Sequence, residues 1–202
     1  MIIIGVTGSF GTGKSFVSSV FASLGAKVID ADRVAGSVFR KGSVLNGEIA
    51  AAFGRKMIRP DGTIDRTRLA GLVFSDKLSL RRLNRLVHPG IIKKIKDIVR
   101  RSGRGKIIVI DAPLLFEAKL ENFVDHIVVV KASLGGQVSR CGKKLCLKRA
   151  DILKRVRSQM SLKKKIGCAD FIVDNNGTKA ATEKQVMKIW GEISRTRRKG
   201  WK

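Results

Sequence analysis

Five short apolar runs, rich in β-branched residues, recur along the chain: "IIIGVT", "KVIDA", "KIIVIDA", "HIVVVKA" and "DFIVDN". Each is short and bounded by turn or polar residues, the signature of a buried strand. Between them the apolar spacing becomes helical. After the first run, Val17, Val20, Phe21 and Leu24 recur at i, i+3, i+4 and i+7. Strands alternating with helices predict an α/β fold, a five-stranded parallel sheet with crossover helices on both faces.

Two intervals break the alternation. Residues 33 to about 103 are helical in pattern with no convincing strand, and "FGRKMIRPDGTID" is a turn-rich break among them. Within this interval "LNRLVHPG" predicts a helix end at His88-Pro89, because proline disfavours helical geometry in the residue before it. Residues 135 to about 160 are helical and basic. His126 precedes a strand and is expected at the surface.

The first strand leads directly into "GSFGTGKSF", where Gly8, Gly13, Lys14 and Ser15 fit the pattern of a glycine, four residues, then Gly-Lys-Ser. Strand, glycine loop and helix form the context that makes this pattern a phosphate site. The glycines let successive N–H groups turn inward around phosphate oxygens, and the helix N-terminus adds positive potential. Lys14 can reach the β- and γ-phosphates, and the Ser15 hydroxyl can hold magnesium. An insert after the second strand and a basic flap after the fourth lie where a phosphotransferase would hold its acceptor and cover its donor.

Ligands of parallel α/β sheets bind at the carboxyl edge, where two further segments carry acids. In "VIDAD", Asp30 and Asp32 are two apart, so in extended chain both face that edge. Asp32 can take a proton from an attacking hydroxyl or, equally, cap the following helix. In "KIIVIDAPLLFE", Asp111 is placed either to help hold magnesium or as a strand-end turn residue. Leu114, Leu115 and Phe116 form core or an apolar wall for an acceptor, with core expected for at least two. Glu117 is either a ligand for a polar group or an exposed loop acid. His88 suggests capping or packing. The basic stretch supplies Arg140, Lys144 and Arg155, and arginine can bridge phosphate oxygens bidentately.

Composition adds bounds. The 202 residues allow one domain with insertions, and the chain carries 42 Lys plus Arg against 16 Asp plus Glu, net +26. Such an excess suits polyanions. Its dispersal, with no aromatic-interleaved strand motif or basic recognition helix, argues against nucleic acid as partner. The closing "RTRRKGWK" is basic without being a separate tail. No run approaches the ~18 apolar residues of a membrane span, and no signal peptide is visible, so a cytoplasmic protein is expected. Cys141, Cys146 and Cys168 form no paired framework and are expected as reduced thiols.

These pieces coincide in order. The chain resembles the dephospho-coenzyme A kinase family, through "GVTGSFGTGKS", "FASLGAKVIDADRVA", "DGTIDRTRLAGLVF", "LNRLVHPGI", "VIDAPLLFE", "QVSR…KRVRSQM" and "CADFIVDNNG". The resemblance runs from residue 3 to about 178, within a kinase domain expected over 3–202. It implies the phosphate-loop kinase fold with a helical acceptor-binding insert and a mobile lid. It also implies ATP-dependent phosphorylation of the ribose 3′-hydroxyl of dephospho-CoA, with magnesium. Asp32 matches the family's base, with Lys14 and Arg140 completing the catalytic set. Gly11, Thr12, Gly13, Lys14, Ser15 and Phe16 match the ATP loop, with Asn175 near the adenine. Acceptor contacts are expected from His88, Leu114 and Glu117, and metal contacts from Ser15 and Asp111. Two positions depart from the pattern. Lys144 stands where the family has a second lid arginine, and Phe16 where it has a hydroxyl residue.

Overall fold

The computed structural model describes residues 1–73, 75–103 and 105–199, and the side chains of all of these except 77 and 196–199. Phe74, which closes the "DGTIDRTRLAGLVF" segment, and Gly200 to Lys202 of the basic terminus lie outside the described residues. Contacts divide the chain into two compact units, residues 1–30 with 102–202, and residues 31–101.

The first unit holds the sheet. Strands β1 (Ile2–Gly8), β2 (Lys27–Asp30), β3 (Ile107–Asp111), β4 (His126–Lys131) and β5 (Phe171–Asp174) pair in the order β2-β3-β1-β4-β5. Every pair is parallel. The central strand β1 is buried along nearly its whole length, as its unbroken apolar run requires. Alternate residues serve the two faces. Ile4 and Val6 join Val109, Val128, Val130 and Val173 in one core cluster. That cluster is closed by Val17, Val20 and Phe21 of α1 (Lys14–Ser23) and by Val186, Ile189 and Ile193 of α9 (Lys179–Lys199). On the other face a Cβ at Gly5 would meet the Leu115 side chain at 3.0 Å and Val124 at 3.3 Å. Gly5 of β1 is therefore the seat of Leu115.

Leu115 and Phe116 are buried and Leu114 is half-exposed, so two of the three apolar residues of "PLLFE" are core. Between β4 and β5 run α6 (Leu134–Leu145), α7 (Arg149–Arg157) and α8 (Leu162–Gly167). Helix α8 lies against β4 and β1. His126 does not precede its strand. It is the first residue of β4, half-buried, with its ring edge-on to Phe171 at 5.8 Å.

The second unit is helical: α2 (Ala31–Val38), α3 (Val44–Phe53), α4 (Arg66–Val73) and α5 (Lys77–Arg100). Its core gathers Leu45, Ile49, Met57, Ile64, Leu69, Val73 and Val87. The turn-rich break after α3 contains one antiparallel bridge, Ile58 to Ile64. Asp76 caps α5, accepting from the N–H groups of Leu78 and Ser79 at 3.1 and 2.8 Å.

Helix α5 does not end at His88-Pro89. It continues through Pro89 to Arg100. An interior proline removes one helical hydrogen bond and costs about 3 kcal/mol. Here the apolar face on both sides of it is engaged: Leu83, Leu86, Val87 and Ile91 belong to this unit's core, and Ile95 and Val99 are buried. Local preference yields to that packing. Among the described residues, no helix is long and apolar enough to cross a membrane.

Candidate active site

The phosphate loop grows out of β1. Gly13 is the N-cap of α1 with φ +93°, a left-handed conformation that glycine adopts without strain. A Cβ there would also collide with the Asn175 amide. Thr12 bends back on Ser9, its Oγ1 donating to the Ser9 carbonyl at 2.9 Å, and Lys14 Nζ donates to the same carbonyl at 3.2 Å. The lysine is thus drawn along the loop, and it is buried. Ser15, next in the first turn of α1, is exposed.

Asn175, just beyond β5, braces this loop. Its Nδ2 donates to the Thr12 carbonyl at 2.7 Å, and its Oδ1 accepts from Thr182 Oγ1 at 2.9 Å. Its own carbonyl accepts from Arg140 Nη1 at 2.9 Å. The structure therefore brings together three of the residues singled out in the sequence: Thr12, Asn175 and Arg140. On the other side of α1, Ser18 Oγ donates to Asp111 Oδ2 at 3.0 Å, both residues being buried. Asp111 pairs in register with Val6 of β1 and with Asp30 of β2. Two acids thus end adjacent strands at the edge from which the loop departs.

A phosphate loop, a buried lysine and a strand-end acid are common to many kinases, and comparison with known proteins decides among them. The dephospho-CoA kinase family model matches residues 2–181. The chain is similar to the dephospho-CoA kinase of Thermobifida fusca, 36% identical over 195 residues, which span 96% of this chain and 98% of that one. It is similar to that of Carboxydothermus hydrogenoformans, 37% identical over 93% of this chain and 92% of the relative.

The chain belongs to the dephospho-CoA kinase family.

Its activity is accordingly the ATP-dependent phosphorylation of dephospho-CoA, the final step of coenzyme A biosynthesis. Among solved structures, the dephospho-CoA kinase of Campylobacter jejuni superposes with a TM-score of 0.70 at 28% identity, covering 96% of this chain and 98% of that one. A shikimate kinase from Acinetobacter baumannii, at 15% identity and TM-score 0.53, shares the fold.

Against the dephospho-CoA kinase pattern, several side chains have specific surroundings here. Asp32 is neither in extended chain nor an N-cap. Helix α2 begins at Ala31, so Asp32 stands inside its first turn, where a carboxylate is favoured by the helix dipole. His88 lies mid-way along α5, half-buried. Lys144 is exposed in the last turn of α6. Phe16 is half-buried with its ring packed against the sheet core, and Ser19 Oγ donates to its carbonyl at 2.7 Å.

Glu117 has internal partners. Its Oε1 accepts from Met160 N at 2.7 Å and lies 3.3 Å from Lys165 Nζ, which also donates to the Pro113 carbonyl at 2.5 Å. Lys165 is wholly buried, and that burial lowers its ammonium pKa, against the pull of Glu117. Glu117 Oε2 is buried without a hydrogen-bond partner among the described residues.

Sequence reasoning passed over Ser18 and Lys165. Lys165 sits in "LKKKIG", where three adjacent lysines look alike; its position three after Leu162 and one before Ile166 was the available signal for burial. Cys141 is a third. It is buried, burial raises its thiol pKa, and a Cβ added at Gly11 would stand 2.6 Å from its sulfur.

Proposed function

We propose that phosphoryl transfer is organised by Asp32, Lys14 and Arg140, on ATP held by residues 11–16 and Asn175. Asp32 accepts the proton of the ribose 3′-hydroxyl as that oxygen bonds to the γ-phosphorus. The bond from the γ-phosphorus to the β–γ bridging oxygen breaks, and ADP leaves with those electrons. Lys14 neutralises charge on the β- and γ-phosphates, and Arg140 offsets charge that develops in transfer. Acceptor contacts fall to His88, Leu114 and Glu117; the Glu117 Oε2, without a hydrogen-bond partner among the described residues, suits a polar group of the acceptor.

Magnesium fits the residues present. A hydroxyl at Ser15 and a carboxylate at Asp111 are hard oxygen donors, and this ion takes one or two protein oxygens beside those of the phosphates. Ser18, donating to Asp111 Oδ2, orients that carboxylate. Bound there, magnesium would neutralise phosphate charge as the leaving group forms. The three free thiols support a cytoplasmic setting for this activity.

The observation that carries the reading is that one short hydrogen-bonded set, Thr12–Asn175–Arg140, joins the glycine loop to the basic helix α6. The test is Asp32→Asn. It should leave the KM of both substrates near normal while lowering kcat by about 10²–10⁴-fold. Near-wild-type turnover removes Asp32 from the role of base.

A further inference from the structure

Both aromatic residues of the phosphate-loop segment carry a cation on the ring. The Arg155 guanidinium of α7 lies 5.2 Å from the centroid of Phe10, within the loop. The Lys179 ammonium lies 5.9 Å from the centroid of Phe16, in the first turn of α1. The face of a phenyl ring is negative, so each ring is a resting place for a positive group that would otherwise extend into water.

The Lys179 pair is the more informative, because it falls where this chain departs from its family. Lys179 opens α9 and is exposed. Its position is nevertheless tied to the loop. Four residues earlier Asn175 donates to the Thr12 carbonyl, and three residues later Thr182 donates to Asn175. The start of α9 is therefore held at both sides of Lys179 by bonds that lead to the phosphate loop. Phe16 in turn is fixed by packing on the core and by its N–H donating to the Gly13 carbonyl at 3.1 Å. A flexible ammonium is thus held by two anchored elements, beside a helix terminus that attracts phosphate.

We propose that Lys179 is a donor-site cation, held over the Phe16 ring so that its ammonium attracts the phosphates of ATP in place of the hydroxyl that residue 16 lacks. This rests on the reading of the loop as the ATP site. The ring cannot donate a hydrogen bond, but it can hold a full charge nearby. The charge acts over a longer distance than a hydroxyl and needs no fixed angle. It also persists after transfer, since ADP keeps two of the phosphates.

Equilibrium titration of the whole protein with ATP and with ADP tests this, using Lys179→Ala, Lys179→Arg, Phe16→Leu, the Lys179→Ala/Phe16→Leu double variant and Lys14→Ala. Melting curves establish that each is folded. Lys179→Ala should raise the Kd of both nucleotides about three- to fivefold, the scale of a partly exposed charge contact. Lys179→Arg should restore binding, and the Kd of dephospho-CoA should not move. In the Phe16→Leu background, Lys179→Ala should change the Kd by less than about 1.5-fold, because the ring that holds the ammonium is gone. An unchanged Kd in Lys179→Ala, with ATP binding lost in Lys14→Ala, overturns the inference and leaves the loop as the donor site. Equal losses with and without the Phe16 ring overturn the holding role. No change in either lysine variant removes the donor-site reading itself.

Discussion

Asn175 Nδ2 reaches the carbonyl of Thr12 at 2.7 Å, across 163 residues of sequence, and both residues are buried. A side-chain amide is suited to this place because it donates to the loop and accepts from Thr182 at once. An aspartate has nearly the same shape but cannot donate. Asn175→Asp should set a carboxylate against the Thr12 carbonyl, lower stability by about 1–3 kcal/mol, and weaken ATP binding severalfold. Denaturant unfolding beside an ATP titration checks both. An unchanged Kd for ATP would separate Asn175 from the donor site.

Ser18 and Asp111 form a second buried pair, at 3.0 Å. Ser18→Ala removes the donor that orients the carboxylate. If Asp111 faces magnesium, the magnesium concentration for half-maximal rate should rise about tenfold, the usual scale for loss of such a supporting bond. The KM for dephospho-CoA should stay where it is. A magnesium dependence identical to that of the unsubstituted chain would assign Asp111 a structural role only.

Lys165 and Glu117 form an ion pair in which the lysine is fully buried. Lys165→Met leaves Glu117 charged and poorly solvated, at a cost of about 3–5 kcal/mol, and adding Glu117→Leu should return much of it. The pH dependence has a definite sign. Burial lowers the Lys165 pKa from its ordinary 10.5, so the folded chain releases this proton before the unfolded chain does. The penalty of burying the ammonium is present below the folded-state pKa and is relieved as pH rises from there toward 10.5. Stability measured against pH should therefore rise across that window relative to Lys165→Met. A flat difference between the two proteins would show that the ammonium is not desolvated.

The three thiols differ in access. Cys146 and Cys168 are exposed, whereas Cys141 is buried and its pKa is raised by that burial. A disulfide reagent should titrate two thiols quickly and the third only on unfolding. Three equally fast thiols would mean that α6 does not stay packed against the Gly11 loop.

The strands and the phosphate loop were legible because each rests on a local rule. A buried parallel strand needs an unbroken apolar run, and β1 to β5 fall on the five runs that the sequence shows. The loop's glycines have a local geometric cause, seen at Gly13. What escaped was decided by distant packing. Pro89 looks like a stop until the apolar face of α5 is placed in its core. His126 looks like surface until Phe171 stands beside it. Asp32 looks like extended chain because β2 is only four residues long and α2 begins at once. Lys165 is indistinguishable by type from Lys163 and Lys164, and only α8 lying against the sheet buries it. Phe16 was legible in kind, since a ring beside an apolar helical stripe can pack on it, but its Lys179 partner lies far along the sequence.

Transfer of phosphate from ATP to dephospho-CoA is the work assigned to this loop and its surroundings. Its most direct test is the purified chain with ATP and magnesium, offered dephospho-CoA, nucleosides or DNA in turn, with the phosphorylated product and its position of attachment identified. Coenzyme A should form in step with ADP, carrying the new phosphate on the ribose 3′-oxygen, and Lys14→Ala should abolish it. Phosphorylation of nucleosides in preference to dephospho-CoA, or ATP hydrolysis stimulated by DNA with no coenzyme A formed, would contradict that assignment.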